Sequence, residues 1–193
     1  MNEEIIISGF GGQGALFAGQ LLAYAALDTG LHVTWIPSYG PEMRGGTAHC
    51  TVVIADQEIG SPQVRRPATV IALNLPSFEK YEPLVKPGGR LVYNVSLIPA
   101  RPTRTDIQYV PVPANVIAEE LGNARQANVV LIGAYLATTG VLPLAAVELA
   151  LDRHLSERQR KYLESNKQAL RRGAQVVSDR ATESTESSEK TSR

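Results

Sequence analysis

Residues 5–14 read Ile5-Ile6-Ile7-Ser8-Gly9-Phe10-Gly11-Gly12-Gln13-Gly14, and the run over residues 15–29 has the pattern of an amphipathic helix. An uninterrupted β-branched run indicates a strand that is buried on both faces, as in a parallel sheet. The glycines that follow allow positive φ, and they let another group approach the backbone because no Cβ stands in the way. The stretch therefore predicts a strand, a tight turn and a helix N-terminus in succession.

The glycine turn has the spacing of an anion-binding loop. Gly9, Gly11 and Gly14 fit the pattern G-x-G-x-x-G, which binds dinucleotides when a strand precedes it and a helix follows it. A dinucleotide site also needs an acidic residue about 20 residues later, at the end of the second strand. The predicted second strand, residues 32–36, is followed by residues 37–39, which include neither an acid nor an arginine. We therefore expect the turn to hold a phosphate or carboxylate rather than NAD, with an empty βα turn as the alternative.

The bulk composition is that of an ordinary globular domain. At 193 residues, with 44% apolar and 20% charged residues, the chain is expected to form one domain with a single core. A net charge of +0 gives no electrostatic footprint for nucleic acid or for an anionic membrane. No apolar run approaches the length of a membrane span, and residues 1–4 are acidic where a signal peptide is basic, so we expect a cytoplasmic protein.

Cysteine and histidine are too sparse for a metal site within the chain. One cysteine, Cys50, allows neither an intrachain disulfide nor a four-thiolate iron–sulfur cluster. The three histidines (His32, His49 and His154) are scattered and show no metal-ligand spacing. Because Cys50 lies in a predicted strand, we interpret it as a small buried hydrophobic residue.

The remaining chain alternates strands and helices and then becomes helical. Further strands are predicted at residues 48–55, 69–73, 90–95 and 107–112, and helices at residues 115–121, 128–139, 144–155 and 156–177. A further helix opens at Pro76-Ser77 with Ser77 as its N-cap, and Ser156 to Gln159 resembles a capping box. The apolar helix at residues 128–139 suits either a sheet or a partner protein. This order predicts an α/β, Rossmann-like three-layer fold with a mostly parallel sheet and a helical C-terminal region.

The last residues differ in composition from the rest. From residue 179 onward, seven of fifteen residues are Ser or Thr, and Ala181 is the one apolar residue. Such a segment buries too little apolar surface to order itself. We therefore predict a single domain over residues 1–178 and a disordered polar tail over residues 179–193.

A second informative loop follows the second predicted strand. Residues 37–47 read Pro37-Ser38-Tyr39-Gly40-Pro41-Glu42-Met43-Arg44-Gly45-Gly46-Thr47. They lie at the carboxyl end of the strand, where open α/β sheets bind ligands. The prolines stiffen the loop, the paired glycines permit close approach of its backbone, and Arg44 offers a planar fork for phosphate or carboxylate. The alternative is a surface turn in which Glu42 and Arg44 are solvated or paired with each other.

Residues 9–14, 38–47 and 59–62 together resemble the gamma subunit of the 2-oxoacid:ferredoxin oxidoreductases, in particular those for 2-oxoglutarate and branched-chain 2-oxoacids. The resemblance covers residues 4–170. Enzymes of this family decarboxylate a 2-oxoacid on thiamine diphosphate, pass electrons through iron–sulfur clusters to ferredoxin, and form an acyl-CoA. The resemblance implies that thiamine diphosphate, magnesium and the clusters lie in alpha, beta or delta subunits, and that this chain alone is inactive.

From this resemblance we expect an oxidoreductase subunit with no catalytic residue or metal ligand of its own. The residues expected to help form the approach of coenzyme A (CoA), or to close the thiamine site, are Gly9, Gly11, Gly12, Gln13, Gly14, Glu42, Arg44, Gly45, Gly46 and Thr47. The expected partners are the alpha and beta subunits, a delta subunit in some enzymes, and ferredoxin through the complex, whereas the isolated chain would pair with itself. A free-standing nucleotide-binding module and a purely structural assembly subunit with empty loops are the alternatives.

Overall fold

The computed structural model describes residues 1–39, 47–99 and 102–191. In this part of the chain six strands form one sheet in the order β2-β3-β1-β4-β5-β6. The strands are β1 (Asn2–Phe10), β2 (His32–Tyr39), β3 (Thr47–Ala55), β4 (Thr69–Ala72), β5 (Arg90–Asn94) and β6 (Gln108–Val112). The predicted α/β fold with a mostly parallel sheet is confirmed.

Strand β3 is the exception to the parallel arrangement. It lies between β1 and β2 and pairs antiparallel with both, whereas β1, β4, β5 and β6 pair parallel in that order. The connection from β2 to β3 spans residues 40–46, which is shorter than the crossover that parallel neighbours require. An antiparallel return is therefore the arrangement that so short a connection permits.

Helices cover the two faces of the sheet unequally. They are α1 (Ala15–Asp28), α2 (Leu75–Tyr81), α3 (Ala114–Glu120), α4 (Ala127–Thr139), α5 (Leu144–His154), α6 (Glu157–Arg160) and α7 (Leu163–Thr191). Ile5, Ile7 and Val92 face the larger core, to which α1, α3, α4, α5 and α7 contribute. Ile6 and Leu91 face the smaller core, to which α2 contributes.

Helix α4 belongs to the chain's own core. Its residues from Ala127 to Leu136 are all buried, and α7 packs along it. Of the two interpretations of this apolar helix, packing inside the chain is therefore the one the structure supports.

The predicted N-cap of α2 is wrong by three residues. Asn74 is the cap, since its side-chain oxygen accepts a hydrogen bond from the Ser77 backbone N–H at 2.9 Å. Pro76 lies in the first turn of the helix, where its missing N–H leaves no donor unsatisfied, so the cap precedes it. The Ser77 hydroxyl instead bonds the Ser8 hydroxyl at 2.9 Å.

The predicted last helix is two helices in the structure. The capping box of Ser156 and Gln159 is confirmed, but α6 ends at Arg160 and α7 begins at Leu163. None of the residues of α6 is buried, so packing against the rest of the protein does not hold α6 in line with α7. The apolar stripe that packs on α4 begins inside α7, with Ala169 and Leu170 fully buried.

At its other end α7 continues to Thr191, where the composition predicted a disordered tail from residue 179. The Glu and Lys residues in this segment are good helix formers, which suits a helical backbone. The division of the chain at residue 178 stays a prediction.

Candidate functional site

The glycine loop connects β1 to α1 by a tight turn. Strand β1 ends at Phe10, and the Gln13 backbone N–H donates to the Phe10 carbonyl at 3.1 Å before α1 begins at Ala15. Gly12 has φ +94° and Gly14 has φ +80°, a region that residues with a side chain rarely adopt. The turn therefore needs glycine at both positions.

The space available for a side chain differs among the glycines of this loop. A Cβ on Gly9 would lie 2.8 Å from Gln13 Oε1 and 3.0 Å from Leu73 Cβ. A Cβ on Gly14 would overlap Asn128 Nδ2, whereas a Cβ on Gly12 would meet none of the residues that the structure describes within 4 Å. Gly9 and Gly14 thus accommodate the chain's own side chains, and no described residue fills the space beside Gly12.

The side chain of Gln13 folds back onto the loop. Its Oε1 accepts from the Phe10 backbone N–H at 2.7 Å and from Asn74 Nδ2 at 3.1 Å. Its Nε2 reaches the Leu73 carbonyl at 3.5 Å. The side-chain amide of Gln13 therefore helps to fix the shape of the loop.

The N-terminus of α1 has the character of an anion site. None of the described side chains caps it, and no acidic residue lies in its first turn. The first N–H groups of a helix have no partner inside the helix, and the helix dipole places partial positive charge there. Asn128 Nδ2 donates to the Gly14 carbonyl at 3.0 Å and so fixes the end of the turn without covering the helix N–H groups with an acceptor. These features fit a phosphate or carboxylate group.

The structure places one predicted residue of the second loop, Thr47, beside the glycine loop. Thr47 begins β3 and pairs in register with Phe10 of β1, and Tyr39 at the end of β2 pairs with Ala48. The other predicted residues of this loop (Glu42, Arg44, Gly45 and Gly46) lie outside the described residues. Tyr39 and Thr47, the described residues on either side of residues 40–46, therefore lie at the end of the sheet where β1 leads into the glycine loop.

Two buried asparagines at this edge were missed in the sequence. Asn74 lies two residues after the end of β4 and is 3% exposed, and Asn94 ends β5 and is 1% exposed. Asn94 Nδ2 donates to Asn115 Oδ1 at 2.7 Å, and its Oδ1 accepts from the Ser96 backbone N–H at 3.3 Å. An asparagine at the end of an apolar strand and just before Leu-Pro is a helix-cap signal that could have identified Asn74.

Two described residues with titratable side chains, His49 and Cys50, lie on β3 near this edge. His49 pairs in register with Ser8, and burial together with the nearby Lys80 ammonium lowers the pKa of its imidazole. Burial raises the pKa of the Cys50 thiol to about 11, which excludes a thiolate nucleophile near neutral pH. Within the described ranges no group of three or more His, Cys, Asp and Glu side chains is placed to hold a metal ion. None of the helices in these ranges is both long and apolar enough to cross a membrane.

Comparisons with known proteins relate most of this chain to one family. Residues 4–176 match the sequence profile of the family described as Pyruvate ferredoxin/flavodoxin oxidoreductase. The 2-oxoglutarate synthase subunit KorC of Methanothermobacter marburgensis is 39% identical over 158 residues, which are 78% of this chain and 85% of KorC. The ketoisovalerate oxidoreductase subunit VorA of Methanothermobacter thermautotrophicus is 44% identical over 134 residues, 69% of this chain. That match spans 28% of VorA, so the chain corresponds to a minor part of this relative.

Solved structures show the same fold. The gamma subunit of a keto/oxoacid ferredoxin oxidoreductase from Geobacter sulfurreducens superimposes with a TM-score of 0.77 at 31% identity, covering 91% of this chain and 98% of that one. The 2-oxoglutarate:ferredoxin oxidoreductase from Magnetococcus marinus, solved with 2-oxoglutarate, coenzyme A and succinyl-CoA bound, gives a TM-score of 0.83 at 22% identity. This second match covers 92% of this chain and 31% of that one, and it shows similarity of fold.

Proposed function

The chain belongs to the pyruvate ferredoxin/flavodoxin oxidoreductase family, and from that premise we propose that it is the gamma subunit of a multi-subunit 2-oxoacid:ferredoxin oxidoreductase with 2-oxoglutarate as its substrate. The enzyme would convert the 2-oxoacid and CoA to an acyl-CoA and CO₂, with the electrons passed to ferredoxin. The observation that carries this proposal is the 39% identity with KorC, which extends over 85% of that subunit.

The chemistry of the complex is divided among its subunits in this proposal. The sequence has one cysteine, whereas a four-thiolate iron–sulfur cluster needs four, so the clusters belong to other chains. We assign thiamine diphosphate, magnesium and the clusters to the alpha and beta subunits, with a delta subunit where present. Ferredoxin then meets the complex rather than this chain. We also propose a cytoplasmic location.

The role of this chain is to help form the approach of CoA. CoA would supply the thiol that accepts the acyl group, and its phosphates are anions. The space beside Gly12, which no described residue fills, and the N-terminus of α1, which no described side chain caps, suit such an anion. Pairing of Thr47 with Phe10 supports a second contribution from residues 38–47, in which the Arg44 guanidinium binds a phosphate. Closing the thiamine site is the other role that these two loops would suit.

Reconstitution tests the subunit assignment. The full chain is co-expressed with the alpha and beta subunits, and reduction of ferredoxin is measured with 2-oxoglutarate and CoA. We expect the complex to reduce ferredoxin only when both substrates are present, and the isolated chain to show no activity. A complex that forms and turns over equally well without this chain would contradict the assignment.

A purely structural subunit is the second candidate, favoured by one observation. The space beside Gly9 and Gly14 is taken by the chain's own Gln13 and Asn128 rather than left for a ligand. If this candidate is correct, a double variant that combines Gly12→Ala with Arg44→Ala assembles and retains the CoA dependence of the wild-type complex.

A further inference from the structure

We propose that Asn74 is a positioning residue for the glycine loop, because its side chain connects Gln13 in that loop to the N-terminus of α2. The inference rests on the proposed function, since the loop is the proposed approach of CoA. The inference has two halves. The structural half, that Asn74 holds the glycine loop through Gln13, concerns this chain alone and is tested without any cofactor. The functional half, that the loop held in this way serves the approach of CoA, is tested in the assembled complex.

The side chain of Asn74 makes two contacts with different partners. Its Nδ2 donates to Gln13 Oε1 at 3.1 Å, and its Oδ1 accepts from the Ser77 backbone N–H at 2.9 Å. Asn74 is 3% exposed and its backbone is extended, with φ −144° and ψ 166°. One buried amide therefore serves both as the cap of α2 and as a donor to the loop.

Gln13 transmits this contact to the loop backbone. Its Oε1 accepts from the Phe10 backbone N–H at 2.7 Å as well as from Asn74, so it bridges the start of the turn and the end of β4. The same oxygen lies 2.8 Å from where a Cβ on Gly9 would be. The position of the Gln13 side-chain amide thus determines the conformation of the turn. Asn74 fixes this amide through the hydrogen bond that its Nδ2 donates to Gln13 Oε1.

Both halves of the asparagine amide are needed for these two roles. Aspartate caps helices about as well as asparagine does, because the cap uses a side-chain oxygen. A carboxylate has no N–H to donate, and it would bring negative charge against Gln13 Oε1. The variant Asn74→Asp therefore keeps the helix cap while removing the contact to the loop.

The chain offers a matched control at the end of the neighbouring strand. Asn94 is also buried and also uses both halves of its amide, bonding Asn115 and the Ser96 backbone. Neither contact reaches the glycine loop. Asn94→Asp thus makes the same chemical change at the same sheet edge without disturbing Gln13.

Hydrogen exchange in the isolated full chain tests the structural half. In Asn74→Asp we expect the Phe10 and Gln13 amides to exchange about tenfold faster, since loss of one hydrogen bond corresponds to a change of this order. The Ser77 amide should keep its wild-type rate, and Asn94→Asp should leave the loop amides unchanged. In a Gln13→Ala background, Asn74→Asp should add nothing to the exchange at Phe10. Wild-type exchange at Phe10 and Gln13 in Asn74→Asp overturns the inference, and so does equal acceleration in the Asn94→Asp control.

Steady-state kinetics of the assembled complex test the functional half. We expect Asn74→Asp to raise KM for CoA about tenfold with a smaller change in kcat and none in KM for 2-oxoglutarate, because the displaced loop weakens one hydrogen-bonded contact to the anion. Asn94→Asp should retain wild-type constants. Faster exchange of the loop amides with an unchanged KM for CoA supports Asn74 as the residue that positions the loop and overturns the assignment of that loop to CoA.

Discussion

Phe10 and Thr47 are cross-strand neighbours, Phe10 at the last position of β1 and Thr47 at the first position of β3. They belong to two loops that are far apart in the sequence, residues 9–14 and residues 38–47. Because β3 runs antiparallel to β1, the start of β3 and the end of β1 meet at one edge of the sheet. The proposed site depends on this pairing, since it places the first residue of β3 beside the last residue of β1, from which the glycine loop leads to α1.

The space beside Gly12 gives a prediction about CoA. Substitution of Gly12 by Ala places a methyl group in that space and strains a residue with φ +94°, at a cost of about 1–3 kcal/mol in stability. We expect KM for CoA in the assembled complex to rise about tenfold or more, because the group intrudes where an anion would approach.

Gly88→Ala is the matched control for this variant. Gly88 has φ +75° and likewise no described residue within 4 Å of a Cβ there, but it precedes β5 and so lies at the opposite end of the strands. It should lose similar stability in urea denaturation while keeping the wild-type KM. Equal KM values for the two variants would argue against an anion over Gly12.

Helices α4 and α7 are in backbone contact through two glycines. A Cβ on Gly133 would overlap the Leu170 carbonyl oxygen, and a Cβ on Gly173 would overlap the Val130 carbonyl oxygen. We expect Gly133→Ala and Gly173→Ala each to lower the free energy of unfolding by about 1–3 kcal/mol or more, because backbone has to shift. Gly60→Ala should stay near the wild type, because no residue in the described part of the chain lies within 4 Å of a Cβ at this position and its φ is not positive. If Gly133→Ala and Gly173→Ala kept the wild-type urea midpoint, the backbones of α4 and α7 would have to lie further apart than in this structure.

The buried thiol of Cys50 gives a pH-dependent prediction. The thiol is fully buried and donates toward the Ala15 carbonyl at 3.4 Å, and burial raises its pKa from 9.0 to about 11. Above pH 9 the unfolded chain loses this proton while the folded chain keeps it, so Cys50 makes stability fall as pH rises from 9 to 11. In Cys50→Ala we expect a shallower fall over that range by chemical denaturation. An identical slope in both proteins would contradict the raised pKa.

Glu82 and Tyr109 hold the segment that precedes β6. Glu82 is 8% exposed, and its Oε1 accepts from the Tyr109 hydroxyl and from the Thr103 hydroxyl, the latter at 3.0 Å. Burial and the hydrogen bond to Glu82 raise the pKa of the Tyr109 phenol. We expect Tyr109→Phe to reduce stability by about 1–3 kcal/mol, because a buried carboxylate loses a donor.

The control for this prediction is Tyr162→Phe. Tyr162 is 39% exposed, so removing its hydroxyl should change the unfolding free energy by less than about 0.5 kcal/mol. Equal losses in the two variants would show that the Glu82 contact contributes nothing.

The strands and helices were predictable because their signals are local. The apolar runs at residues 5–7 and 69–73 predicted β1 and β4, and the capping box at Ser156 predicted the start of α6. The order of the strands was not predictable, since alternation along the chain does not say that β3 inserts between β1 and β2. The position of β3 follows from its backbone hydrogen bonds to both β1 and β2, which no local sequence pattern reports.

The candidate site was predictable in outline but not in detail. The glycine spacing predicted a turn with positive φ, and Gly12 and Gly14 adopt it. The occupation of the space beside Gly14 arises from Asn128, which is 114 residues away in the sequence and reaches the loop only in the fold. Ser77 was predicted as a cap from its place after Pro76, whereas the proline moves the cap back to Asn74.

If the two loops bind CoA at one end of the sheet, Arg44→Ala should weaken that binding, and KM for CoA in the assembled complex measures the effect. Loss of a charge-assisted hydrogen bond to phosphate corresponds to about a 10- to 100-fold weaker interaction. We expect KM for CoA to rise by this factor, with KM for 2-oxoglutarate and subunit assembly unchanged. A KM for CoA equal to that of the wild-type complex would contradict the claim.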